Sequence, residues 1–275
     1  MSPAPVSGTR ASGTADVFAA EWLKLRTVRS TAHLLGTVAV AVALACVLAA
    51  SIAGTWDGLS GAEREGVALS PLEPLVAVVA QIALAVLGTL TITSEYATGM
   101  IRTTVVAVPG RVRLLGAKAG VVGVTGLAAG LAGVFTTSWL TRAIVGDRPV
   151  PFFSDESSHT PGLLFALSAS VMALALLGLG LGALLRSTTG AVVTVVVLLY
   201  VGPLLTQHLP GLWGDRVTSL LPGSLPGQLA GTGNDDSVYG AVLPPWAAAA
   251  VLCLYALLPL AVAAVRMRGR DIAGR

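Results

Sequence analysis

Six uncharged, strongly apolar stretches account for most of this chain: Thr31–Thr55, Leu75–Thr93, Leu114–Leu140, Leu163–Leu185, Thr189–Gln207 and Trp246–Val265. Each has the roughly 20 residues that a helix needs to cross a hydrocarbon core at about 1.5 Å rise per residue. Lys118, near the start of the third stretch, is the one Asp, Glu, Lys or Arg within them. One such run could be a buried core helix; six in succession could not. Only 11% of the 275 residues are charged, against about 25% in an ordinary soluble domain, and mean hydropathy is +0.81. The sequence therefore predicts an all-α polytopic membrane protein with six transmembrane helices. Spans and short connections use nearly the whole length, so no separate soluble domain is expected.

Charge sets the orientation. With the N-terminus cytoplasmic, 13 of the 17 basic residues but only four of the 14 acids fall inside, +9 against −6 outside, consistent with the net +3. Lysine and arginine retained on one face is the positive-inside rule. It predicts a multi-pass protein of the cell (plasma) membrane with both termini cytoplasmic. The basic pI of about 9.2 then requires no nucleic acid partner. Residues 1–14, rich in Ser, Pro, Gly and Thr, read as a disordered tail. They lack the pattern of a signal peptide, because the first apolar run is too long and follows Lys24, Arg26 and Arg29. Residues 15–268 form one transmembrane unit, and 269–275 a cytoplasmic tail. Cys46 and Cys253 lie inside spans and read as packing residues.

Between the spans, Ala15–Arg29 has Phe18, Trp22 and Leu25 at spacings of four and three, with Glu21, Lys24 and Arg29 opposite. That pattern predicts an amphipathic helix lying in the interfacial headgroup region. After the second span, Glu95, Thr98, Gly99 and Arg102 share one side of a helix, and Pro109-Gly110 stops it. The expectation is a short cytoplasmic helix whose charged face either meets a partner or merely fixes topology. Gly116/Gly120, Gly126/Gly130 and Gly178/Gly182 have the small-xxx-small spacing that lets helix backbones approach, within the chain or between two copies. Pro203 and Pro259 are expected to bend spans five and six. Val217–Leu229 (VTSLLPGSLPGQL) is too apolar for a solvated loop and too Pro-broken to cross, and reads as re-entrant or surface-lying. Asp57, Glu63, Glu65, Glu73, Asp235 and Asp236 read as solvated charge.

The sequence contains no GxxxxGK[ST] phosphate loop, no HExxH and no GxSxG, and its three histidines have no metal-ligand spacing. The span centres carry no carboxylate or histidine to couple to a gradient, Gln81 being the most polar residue deep in a helix. The chain is expected not to be an enzyme. Energy for any transport would come from elsewhere.

Glu95-Tyr96-x-x-Gly99-x-x-Arg102, followed by Pro109-x-Arg111 and Lys118, resembles the coupling-helix signature of ABC-2 type permeases, the membrane subunits of ATP-binding cassette (ABC) transporters. Glu21-Trp22-x-Lys24-Leu25-Arg26-Thr27-x-Arg29-Ser30 is similar to the interfacial connecting helix of the branch with a separate ATPase, and Arg216-x-x-x-Leu220-Leu221-Pro222 to the segment before its last span. Met100 departs from the Thr that many relatives carry after the glycine. The resemblance implies a coupling helix between spans 2 and 3, a second permease copy or paralogue, and an ABC ATPase subunit beneath. ATP and Mg would sit on that partner, with no cofactor bound by this chain. It also implies a docking face of Glu95, Tyr96, Gly99 and Arg102, helix termination at Pro109, headgroup anchoring by Arg111 and Lys118, and a connecting helix seated by Trp22, Lys24 and Arg26. Uncharged spans imply export of a hydrophobic or amphipathic compound such as a drug, antibiotic or lipid-like molecule. The alternative is a non-transporting anchor or sensory subunit on the same scaffold.

Overall fold

The structure is a computed structural model that describes residues 13–64, 66–97, 111–154, 159–210, 212–231 and 243–272. Its elements, in chain order, are α1 (Thr14–Thr27), α2 (Arg29–Gly58), α3 (Gly61–Arg64), α4 (Glu73–Ala97), α5 (Arg111–Val145), α6 (Pro161–Leu185), α7 (Thr188–Val196), a π-helical turn (Val197–Val201), α8 (Gly202–Thr206), α9 (Leu212–Leu220), α10 (Leu225–Ala230) and α11 (Pro245–Ile272). No strand occurs among the described residues. Six helices are long and apolar enough to cross a membrane: α2, α4, α5, α6, the α7–α8 unit and α11. An even number of crossings puts α1, the end of α4, the start of α5, the α6–α7 joint and the end of α11 on one side, called here the basic side.

Local chemistry sets the breaks. Asp16 Oδ2 accepts the Gly13 N–H at 2.8 Å and starts α1, and extended Val28 (φ −80°, ψ 124°) divides α1 from α2. Thr160 caps α6 with Pro161 in its first turn, and the helix closes on Arg186 in the left-handed region (φ 53°). Ser187 then caps α7 by accepting the Gly190 N–H at 3.2 Å. Pro203, expected to bend span five, sits at the start of α8 directly after the π turn. A proline there has no N–H to miss at a new first turn. In α11, Pro259 stays within one helix, and Gly180 of α6 lies against its ring.

Helices α4 and α6 form the centre. Of the most apolar stretch of α6, 72% is buried, against 17% in α2 and 22% in α11. The outer helices instead expose Val40, Leu44, Val47, Leu254 and Leu257. Such faces suit lipid tails, since hydrocarbon neither rewards burial nor penalises exposure of aliphatic side chains. At the centre, Gly88 of α4 and Gly178 of α6 meet backbone to backbone, a Cβ on Gly178 falling onto the Ala85 carbonyl and one on Gly88 onto that of Ala175. Gly126 and Gly130 of α5 accept Met172 and Ser168 of α6 in the same way, and Gly182 faces Thr89 and Ile92. The small-xxx-small pairs 126/130 and 178/182 thus pack within the chain. Gly120 differs in receiving the Phe18 ring, and Gly116 has open space.

Two expectations change here, those for Glu21 and Glu73. Buried Val17, Glu21 and Leu25, at spacings of four, form the inward face of α1, so Glu21 lies on the packed side and not opposite it. Glu73, read as solvated, is 1% exposed and 2.9 Å from His159 Nδ1, whose Nε2 is 2.9 Å from the Phe153 carbonyl. The stretch before the last span folds back as α9 and α10 and buries Leu225 among Leu174, Leu199 and Leu252. Gln228 staples this fold, donating to the Ser219 carbonyl at 2.9 Å and accepting the Leu243 N–H at 2.8 Å. Asp57 pairs with Arg148 at 2.7 Å but stays exposed, and Asp235 and Asp236 lie outside the described residues.

Candidate functional site: a buried ion cluster and its cavity

A lone lysine in an apolar helix must find acceptors, because an unpaired ammonium away from water is costly. Lys118, in the second turn of α5, is 3% exposed. Its Nζ donates to Glu21 Oε2 at 2.7 Å, to Glu95 Oε1 at 2.7 Å and to the Thr91 carbonyl at 3.1 Å. An ammonium has three hydrogens, so Lys118 is saturated. Lys24 completes the group, donating to Glu21 Oε1 at 2.7 Å and to Glu95 Oε1 at 3.3 Å. Two acids and two lysines cancel in charge. The cluster locks α1 (Glu21, Lys24), the last turn of α4 (Glu95) and the first turns of α5 (Lys118) into one unit.

Burial raises the Glu21 carboxyl, but the ammonium groups of Lys118 and Lys24 outweigh it and hold the group below its ordinary 4.5. Burial likewise lowers Lys24, and Glu21 and Glu95 outweigh it, holding the amine above 10.5. Both shifts favour the charged pair.

The last turn of α4 gathers further contacts. The Arg186 guanidinium lies 5.3 Å from the Tyr96 ring centroid, a cation–π distance. Thr188 Oγ1 donates to Thr93 Oγ1 at 2.8 Å, tying the start of α7 to the same turn. Beside the cluster, between α1, the start of α2, α4 and α5, lies a cavity of about 370 Å³. Leu25, Leu87, Leu90, Val121 and Val122 supply its apolar wall, and Glu95 also lines it. Glu95 is 7% exposed, and its Oε2 has no hydrogen-bond partner among the described residues, while Oε1 holds both lysines.

These positions revise several site expectations. Glu95, expected on a docking face, is buried and engaged by Lys118; Tyr96 is half-buried against Arg186. Lys118, expected among headgroups, is an internal ion-pair residue. Lys24 belongs to the same cluster, Trp22 packs inward and stacks on Phe18 at 6.5 Å between centroids, and Arg26 is exposed. Gly99, Arg102 and Pro109, with the expected coupling helix, lie outside the described residues, as does the Arg111 side chain. Glu21 is the cluster residue that sequence reasoning put on the wrong face of α1. Its signal was the register Val17–Glu21–Leu25, an acid in phase with two apolar residues. No protein-family model matches this chain, and no curated protein matches it. The resemblance to ABC-2 type permeases therefore rests on the motifs quoted above.

Proposed function

We propose that this chain is the permease subunit of an ABC-type exporter. It forms the translocation path with a second permease copy, takes its energy from a separate ATPase subunit, and moves a hydrophobic or amphipathic compound. The observation that carries the reading is the ion cluster at the two ends of residues 98–110, the segment bearing the coupling signature. Glu95 stands three residues before that segment and Lys118 eight residues after it. A load applied to the segment from below enters α4 and α5 together, and Glu21 passes it to α1. Charge-assisted bonds with little slack transmit displacement better than apolar contact does. The positive-inside asymmetry supports a cytoplasmic location for this side, where an ATPase would dock. In this reading Gly99 and Arg102 meet the partner, while Glu95 and Lys118 stand behind them as force-bearing residues.

The test is purification of the tagged chain from its native membrane in mild detergent. An ATPase subunit is expected to co-purify, and the reconstituted pair to hydrolyse ATP and drive flux. Arg102→Glu should lose the partner while leaving the membrane subunit folded. Recovery of the intact chain with no ATPase overturns the reading. Docking with hydrolysis but no flux of any cargo makes the chain an anchor instead.

A further inference from the structure

Buried carboxylate oxygens are almost always hydrogen-bonded, and one left without a donor costs about 1–3 kcal/mol or more. Glu95 departs from that rule on one side only. Its Oε1 takes Lys118 and Lys24, and its Oε2 is buried with no partner among the described residues. The same residue lines a cavity of about 370 Å³ whose other named walls are mostly aliphatic. That volume lies within the range of about 300–1,000 Å³ typical of small-molecule sites.

We propose that this cavity binds an amphiphile with an N–H-bearing ammonium head, its head on Glu95 and its tail along Leu25, Leu87, Leu90, Val121 and Val122. The chemistry of the free atom selects the head. A carboxylate oxygen only accepts, so the ligand must donate, and an ionised donor forms the shorter and stronger bond. An anionic head would meet like charge in a low dielectric. A quaternary ammonium brings charge without an N–H to give.

Charge balance is preserved. Lys24 holds Glu95 at 3.3 Å, the longest of the cluster's ion pairs, and its side chain is 43% exposed. With an incoming ammonium on Oε2, the cluster stays neutral when Lys24 releases both acids and swings to water. Lys118 keeps its three acceptors throughout. This inference adds a head-group class to the export reading and rests on it only for calling the bound molecule cargo.

Binding is measured without nucleotide or ATPase, on the full chain in lipid nanodiscs, with radiolabelled dodecylamine, dodecanol and dodecyltrimethylammonium. Partition into empty nanodiscs is subtracted. Dodecylamine is expected to bind saturably, one per chain, at least about tenfold more tightly than the other two. Glu95→Gln should remove about tenfold of that affinity. Leu90→Trp, which fills the cavity and leaves every charged residue in place, should abolish the saturable component, and it decides the question if Glu95→Gln does not fold. Non-saturable uptake, equal affinity for dodecanol, or wild-type binding by Leu90→Trp overturns the proposal. Absence of an ATPase partner would overturn the export reading and leave this isotherm unchanged, so the two failures are distinguishable.

Discussion

Lys118 is the residue on which the basic side depends. Lys118→Ala would leave Glu21 and Glu95 with Lys24 as their one shared cation in the cluster, and removing one partner of a buried ion group costs about 3–5 kcal/mol. The expected outcome is a lower thermal midpoint in detergent together with release of α1. Lys118→Met combined with Glu21→Gln and Glu95→Gln should recover most of the midpoint, since the one charge it leaves, Lys24, has a side chain 43% exposed and can turn to water. Acidity acts on the same residues. Glu21 is depressed, so its contribution is complete above 4.5 and is lost as pH falls through its lower folded value. Lys24 is raised, so its contribution holds below 10.5 and is lost above that. A nitroxide on Arg26→Cys, with Cys46 and Cys253 replaced by Ala, should therefore report an immobile α1 from about pH 5 to about pH 10 and a mobile one in stronger acid. The lysine's need for acceptors was readable from its place in an apolar run. Its acceptors were not, because Glu21 and Glu95 are 97 and 23 residues away along the chain. Local periodicity carries no information about such pairs.

Elements divide sharply by what their glycines meet. Gly178→Val should fail to reach the membrane folded, because the added atoms fall on the Ala85 backbone, which no rotamer change can relieve. Overpacking of that kind costs about 1–3 kcal/mol, and more where backbone must move. Gly116→Ala meets open space and should raise the thermal midpoint slightly, by up to about 1 kcal/mol of helix propensity. Expression and melting of the two variants in one detergent provide the comparison. The spacing of these glycines was visible in the sequence, and so were the spans to within a few residues. Which helix each glycine faces was not, since identical small-xxx-small signals serve α4–α6 and α5–α6 contacts alike. The buried Glu73–His159 pair was missed for the reason that hid Glu21: an acid at a span end looks solvated until a partner 86 residues away closes over it.

At the scale of the whole molecule, charge asymmetry and helix packing make separate statements that can be checked together. A thiol placed at Gly99 should react with an impermeant reagent only from the cytoplasmic side, and one placed at exposed Glu63 only from outside. Labelling at Gly99 from outside would invert the membrane reading of the entire chain. Within the bundle, Gly88 against the Ala175 carbonyl and Gly178 against that of Ala85 bring two main chains together in the basic-side half of both rods, with nothing compressible between them. Such a joint allows almost no sliding or spreading at its own level. Gln81 on Ser170 at 2.7 Å and Gly182 against Thr89 extend the same joint to either side, so the two helices meet any push as one stiff strut.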